Sequence, residues 1–182
     1  MSVKEKTSRV AGRRGGAADW SGLEVLAFES MGRFFAVQAD PVAEIFPIEN
    51  LTPVPLAPPG LQGLTYLRGA TYPCIDLIGL TTGVPCVWHQ HRLYGVRIEL
   101  AKVQFAVTAW KISGLMRVQD ARLTDEIQGV SDGAWVERGL SYKLIDVRRI
   151  PAEMRKAITV SRARIRDAED GPGKFNDVSR GR

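Results

Sequence analysis

Residues 61–79 read LQGLTYLRGATYPCIDLIG, and two apolar runs, Leu64–Leu67 and Thr71–Leu77, flank an Arg68-Gly69 pair. Both runs are rich in strand-forming residues, and the glycine between them offers a backbone shape closed to other residues. The stretch predicts two adjacent strands joined by a tight connection. The arginine there must reach solvent or find an acid, because a guanidinium keeps its proton when it is buried. No nucleophile, base and orienting third group gather around it, so the stretch points to docking rather than to catalysis.

The same texture extends both ways along the chain. Leu23–Glu29 and Arg33–Gln38 around Met31-Gly32 read as a hairpin. Asp40-Pro41 offers a cap and a first-turn proline, which predicts one helical turn over Pro41–Ile45. Pro47, Pro53, Pro55, Pro58 and Pro59 exclude a long helix, leaving Leu51–Leu56 as an edge strand. Strands over 64–67 and 71–78 precede a loop, Gly79–Gln90. Further strands are expected at Arg92–Leu100, Lys102–Trp110, Leu115–Val118, Trp135–Glu137 and Leu144–Val147. So many short strands define an all-β barrel or sandwich. From Pro151 to Ala168 the pattern changes: Met154, Ala157, Ile158 and Ile165 recur at near-helical spacing and predict a C-terminal helix.

A chain of 182 residues holds one ordinary domain or two small subdomains with a common core. No apolar run reaches the roughly 20 residues of a membrane span, and the basic N-terminus has no apolar stretch behind it. Two cysteines, Cys74 and Cys86, suit a reducing compartment, with cytoplasm the default. The net charge of +5 is carried by the ends: +3 over residues 1–19, −1 over 20–151 and +3 over 152–182. A nucleic-acid-binding fold concentrates charge on a folded face, so this distribution argues against one. The expected division is a disordered basic tail at 1–19, the domain at 20–151, and a helix with a disordered tail at 152–182. The helix's arginines suit a membrane surface or a partner; a solvated helix packed lightly on the domain is the simpler reading.

Other chemistries are thinly represented. His89 and His91 flank Gln90 and would share one side of a strand, with Cys86 nearby, so a small metal protein is the alternative from another class. No G-x-S-x-G elbow occurs, and Gly12–Gly16 lacks the lysine-hydroxyl ending of a phosphate loop. Cys74 lies in an apolar strand and reads as an inert core thiol.

Four elements in order carry a family resemblance. They are Val42-Ala43-Glu44-Ile45, then Gly63 preceded by Gln62, then Tyr66-Leu67-Arg68-Gly69, then Pro73-Cys74-Ile75-Asp76-Leu77. The segment resembles the CheW family, the coupling proteins of bacterial chemotaxis arrays, whose patterns are V-x-E-I, K-G-hydrophobic, N-L-R-G and P-hydrophobic-hydrophobic-D-L. Gln62 and Tyr66 depart from the lysine and the asparagine. Gln128-Gly129-Val130 and Lys143–Ile150 are similar to later elements of the family, so the likeness covers most of residues 22–150.

The resemblance implies an all-β fold of two small β-barrel subdomains sharing an apolar interior. It implies no catalysis and no cofactor. The partners it implies are the regulatory domain of a CheA-type histidine kinase and the cytoplasmic tip of a methyl-accepting chemoreceptor. The protein would sit in the cytoplasm at membrane-associated receptor arrays, with no membrane insertion and no nucleic acid. Adaptors of type IV pilus systems share the pattern and are the alternative. The candidate docking surface comprises Val42, Glu44, Ile45, Gly63, Leu64, Leu67, Arg68, Gly69 and Val107. Glu44 and Arg68 are expected to pair; were both buried, loss of Arg68 would cost about 3–5 kcal/mol.

Overall fold

The computed structural model describes residues 19–85, 92–119 and 129–169. Among the described residues, ten strands form two five-stranded sheets. They are β1 (Glu24–Ser30), β2 (Arg33–Gln38), β3 (Val42–Ile48), β4 (Leu61–Leu67), β5 (Ala70–Ile75), β6 (Leu93–Leu100), β7 (Val103–Ala109), β8 (Lys111–Arg117), β9 (Ser131–Glu137) and β10 (Leu140–Ile145). Helix α1 spans Leu77–Thr82, and α2, Ile150–Glu169, follows a 3-10 turn at Val147–Arg149. The first sheet runs β8-β1-β2-β10-β9 and the second β3-β6-β7-β5-β4.

Burial on both faces explains the near-continuous apolar runs of the central strands. Leu26, Phe28, Phe35 and Val37 of the first sheet pack with Val96, Ile98, Phe105 and Val107 of the second in one shared core. The residues between them on β1 and β2, such as Val25, Ala27 and Ala36, turn to a separate cluster with Trp20, Trp135 and Tyr142. A third cluster, Phe46, Cys74 and Ala106, packs on the second sheet with the half-buried Ile48, Leu51 and Leu67 against it. The expected shared interior is present. The two sheets are open ladders, however, not closed barrels. In the second, Thr52, in the segment that follows β3, exchanges backbone hydrogen bonds of 2.8 Å with Leu64 of the edge strand β4.

Three local expectations are corrected. Pro41–Ile45 is no helical turn: Val42 onward pairs with β6 from Val42↔Ile98 to Ile48↔Leu93, and this ladder outweighs the cap signal. Leu51–Leu56 contributes only the Thr52 bridge, since its prolines cannot donate to a ladder. The strand after Arg68-Gly69 stops at Ile75, because the Asp76 carboxylate accepts hydrogen bonds from the N–H groups of Ile78 and Gly79 and starts α1.

A shift of 70 residues superimposes one half of the chain on the other. Phe35-Ala36-Val37 recurs as Phe105-Ala106-Val107, and Gly63, Arg68-Gly69, Tyr72 and Ile75-Asp76 recur as Gly133, Arg138-Gly139, Tyr142 and Ile145-Asp146. The structure repeats with the sequence. Asp76 N–H donates to Gly60 O at 2.9 Å, and Asp146 N–H to Val130 O at 2.9 Å. The bulge between Leu61 and Gly63 reappears between Ser131 and Gly133. Strands β1–β5 thus correspond to β6–β10, with β3 lent to the partner half's hairpin and β8 returned.

Candidate functional site

The β4–β5 hairpin turns through Arg68 (φ 48°) and Gly69 (φ 87°), between the paired Leu67 and Ala70. Positive φ at both central residues is the two-residue turn whose twist matches paired strands, and glycine at the second position removes the Cβ conflict. This geometry aims the arginine across to β3. Its Nη2 lies 2.9 Å from Glu44 Oε1.

Glu44 has a second cation. Arg97 of β6 places Nε 3.7 Å from Glu44 Oε2 and Nη1 3.1 Å from Glu99 Oε2, with its guanidinium 5.9 Å from the centre of the Tyr72 ring. Burial differs sharply along this chain of charges: the Arg68 side chain is 78% exposed, Glu44 18% and Arg97 19%. Arg97 is therefore the sheltered counter-ion of Glu44, and Arg68 is the solvent-screened one. The buried-pair estimate does not apply to Arg68. Sequence reading missed Arg97, although a lone arginine inside the apolar strand LYGVRIEL signals the need for an acid.

The other candidate residues fall into three groups. Ile45 is exposed, and alternation places it on the face of β3 opposite Glu44. Val42, Leu64 and Leu67 are half-buried, Val42 against the shared core and Leu67 against the Phe46 cluster. Gly63 is buried, and a Cβ there would stand 2.6 Å from Thr52 O, so it allows the Thr52 segment to bridge to β4 rather than forming a shelf. Val107 is fully buried in the shared core, which removes it from any docking surface. Tyr66, not anticipated as a contact, is 70% exposed beside Arg68. His89, His91, Cys86 and Gln128 lie outside the described residues. Cys74 is buried and its thiol is pushed up to about 12, chiefly by loss of solvation, with a backbone hydrogen bond at Thr65 opposing.

The internal repeat isolates what is particular to this site. At the positions equivalent to Glu44, Arg97 and Arg68 the other half carries Gly114, Ala27 and Arg138. The turn is common to both halves; the carboxylate and its sheltered arginine belong to one. A shared turn with a one-sided charge cluster defines a two-lobed β domain with a specialised hairpin.

The chain belongs to the CheW-like domain family, whose model matches residues 24–155. Among solved structures, the fold is similar to the crystal structure of the scaffolding protein TtCheW from Thermoanaerobacter tengcongensis, at a TM-score of 0.57 and 14% identity. That match covers 69% of this chain and 90% of the other. No curated protein matches the sequence.

Proposed function

We propose that this chain is a non-catalytic signalling adaptor, coupling chemoreceptors to a CheA-type histidine kinase in a chemotaxis-like two-component system. The observation that carries the reading is the hairpin tip: Arg68 stands exposed on a fixed turn, with Tyr66 and Gly69 beside it and Glu44 behind. A guanidinium presented this way can exchange Glu44 for a partner's carboxylate, because Arg97 remains to neutralise Glu44. Membership of the CheW-like family supports the same role. One surface, with Tyr66 and Arg68 at its centre and Leu64 and Leu67 beside them, receives the helical tip of a receptor, while Ile45 and Val42 face away from it; another surface packs against the kinase's regulatory domain. The protein works in the cytoplasm at membrane-associated arrays, where repeated modest contacts gain strength through multivalency. Among the described residues no helix is long and apolar enough to cross a membrane.

The test is binding of the purified full chain to a receptor cytoplasmic fragment and to the kinase's regulatory domain, measured separately. Both bind, and Arg68→Glu weakens at least one of them by about tenfold or more without moving the melting temperature appreciably. Failure to bind either would overturn the reading.

A further inference from the structure

A second feature shares no residue with the Glu44–Arg68 cluster. A cleft of about 390 Å³ opens between the β1–β2 turn, the end of α1 and the β9–β10 hairpin. Its volume falls in the range of small-molecule sites. Arg33 and Lys143 line it, together with the hydroxyl-bearing Thr81, Ser131 and Ser141. Lys143 and Thr81 also border an adjoining cleft of about 240 Å³. Among the described residues neither Arg33 nor Lys143 has an ion-pair partner; Glu153, on the adjoining cleft, is held 2.7 Å from Lys156.

The internal repeat shows that this polarity is not required by the fold. In the second sheet the positions equivalent to Arg33, Lys143 and Ser131 are Val103, Pro73 and Leu61. At these three positions the same backbone carries apolar side chains there, whereas Ser141 is matched by Thr71 and Gly32 by Lys102. The placement of Arg33 with Lys143 on one cleft is thus particular to this half, their counterparts being Val103 and Pro73. We propose that the cleft binds a small phosphomonoester, with Lys143 and Arg33 sharing the dianion and the hydroxyl of Ser141 donating to one of its oxygens; the Thr81 hydroxyl is already donated to Leu77 O at 2.7 Å. The cleft shares no residue with the proposed docking hairpin.

The experiment titrates the full chain with inorganic phosphate and, separately, with a nucleoside monophosphate, at constant ionic strength, following backbone amides by NMR. Saturating shifts confined to Gly32, Thr81, Ser131 and Lys143 are expected from both probes. Tighter binding of the nucleotide identifies an organic phosphate as the ligand; equal affinity supports a site that recognises the phosphoryl group alone. Lys143→Gln weakens binding about tenfold or more, Ser141→Ala weakens it less, and Arg138→Gln, outside the cleft, leaves it unchanged. A circular dichroism melt of each variant separates lost binding from lost folding. Shifts spread over all basic surfaces without saturation, or unaltered binding in a folded Lys143→Gln variant, overturn the proposal.

Discussion

The carboxylate of Asp132, fully buried in β9, meets the guanidinium of Arg149 at 2.6 Å. Its second oxygen accepts the indole N–H of Trp20 at 3.0 Å. One side chain thus joins the segment before β1, an edge strand and the turn that leads into α2. Asp132→Ala leaves the Trp20 indole N–H without its acceptor and Arg149 with Asp146 alone, at 3.3 Å, a loss of about 1–3 kcal/mol. For a domain of this size that lowers the melting temperature by roughly 2–12 °C. Asp132→Asn keeps an acceptor for Trp20 and falls between the two. A thermal melt within a degree of wild type for the alanine variant would refute this account.

Arg68→Ala behaves differently. Because Arg68 is largely exposed and Arg97 still faces Glu44, the stability loss is at most about 1 kcal/mol. Urea unfolding measures it directly, and a loss of several kcal/mol would mean that Arg68 braces the sheet after all.

Arg97→Met removes the sheltered cation and costs more, about 1–2 kcal/mol, since Glu44 keeps only its solvent-screened partner. Combining it with Arg68→Ala leaves Glu44 without either arginine, so the double variant is destabilised beyond the sum of the singles. Strict additivity in the urea midpoints would show that the two arginines do not share one acid.

Gly95 faces the Phe46 ring so closely that an added Cβ would stand 2.4 Å from Cζ. Gly95→Ala overpacks this cluster and costs about 1–3 kcal/mol. Phe46→Leu in the same chain recovers part of the loss by shortening the opposing side chain. If the second substitution only adds to the first, the cause is backbone, not the ring.

Cys74 supplies a pH test with a defined sign. Its folded thiol ionises near 12 against an ordinary value of 9.0, so the unfolded chain loses this proton first as pH rises. Stability from this group is fully present below pH 9 and declines from there towards 12. In a Cys86→Ser background, Cys74 resists alkylation at pH 8 until denaturant is added. Rapid alkylation of the folded protein would contradict its burial.

Strand-rich texture was plain from the residues, because alternating and β-branched runs are governed by local chemistry. The Met31-Gly32 and Arg68-Gly69 turns were equally readable. What failed was competition between local and distant forces. Asp40-Pro41 looks like a helix start, yet Val42–Ile48 is claimed by β6, some fifty residues along the chain. Asp76 was read as part of a strand motif although an acid before an apolar run also caps a helix, as it does here. Of the candidate surface, the pairing of Glu44 with Arg68 follows from spacing and family pattern, whereas the burial of Val107 depends on the opposite sheet. The recurrence of R-G-x-x-Y-x-x-I-D at positions 68 and 138 was visible in the sequence and would have exposed the two-fold construction directly.

Sheet order also sets when the molecule can be completed. Every strand of the second sheet lies between residues 42 and 109, while β1 and β2 find their outer neighbours only in β8 and β10. As the chain emerges from the ribosome, the middle lobe has all its strands first. The opening hairpin must wait for the parallel strand β10, and non-local pairings of this kind form slowly. Among the described residues, β1 and β2 are thus made before the strands that secure them on either side.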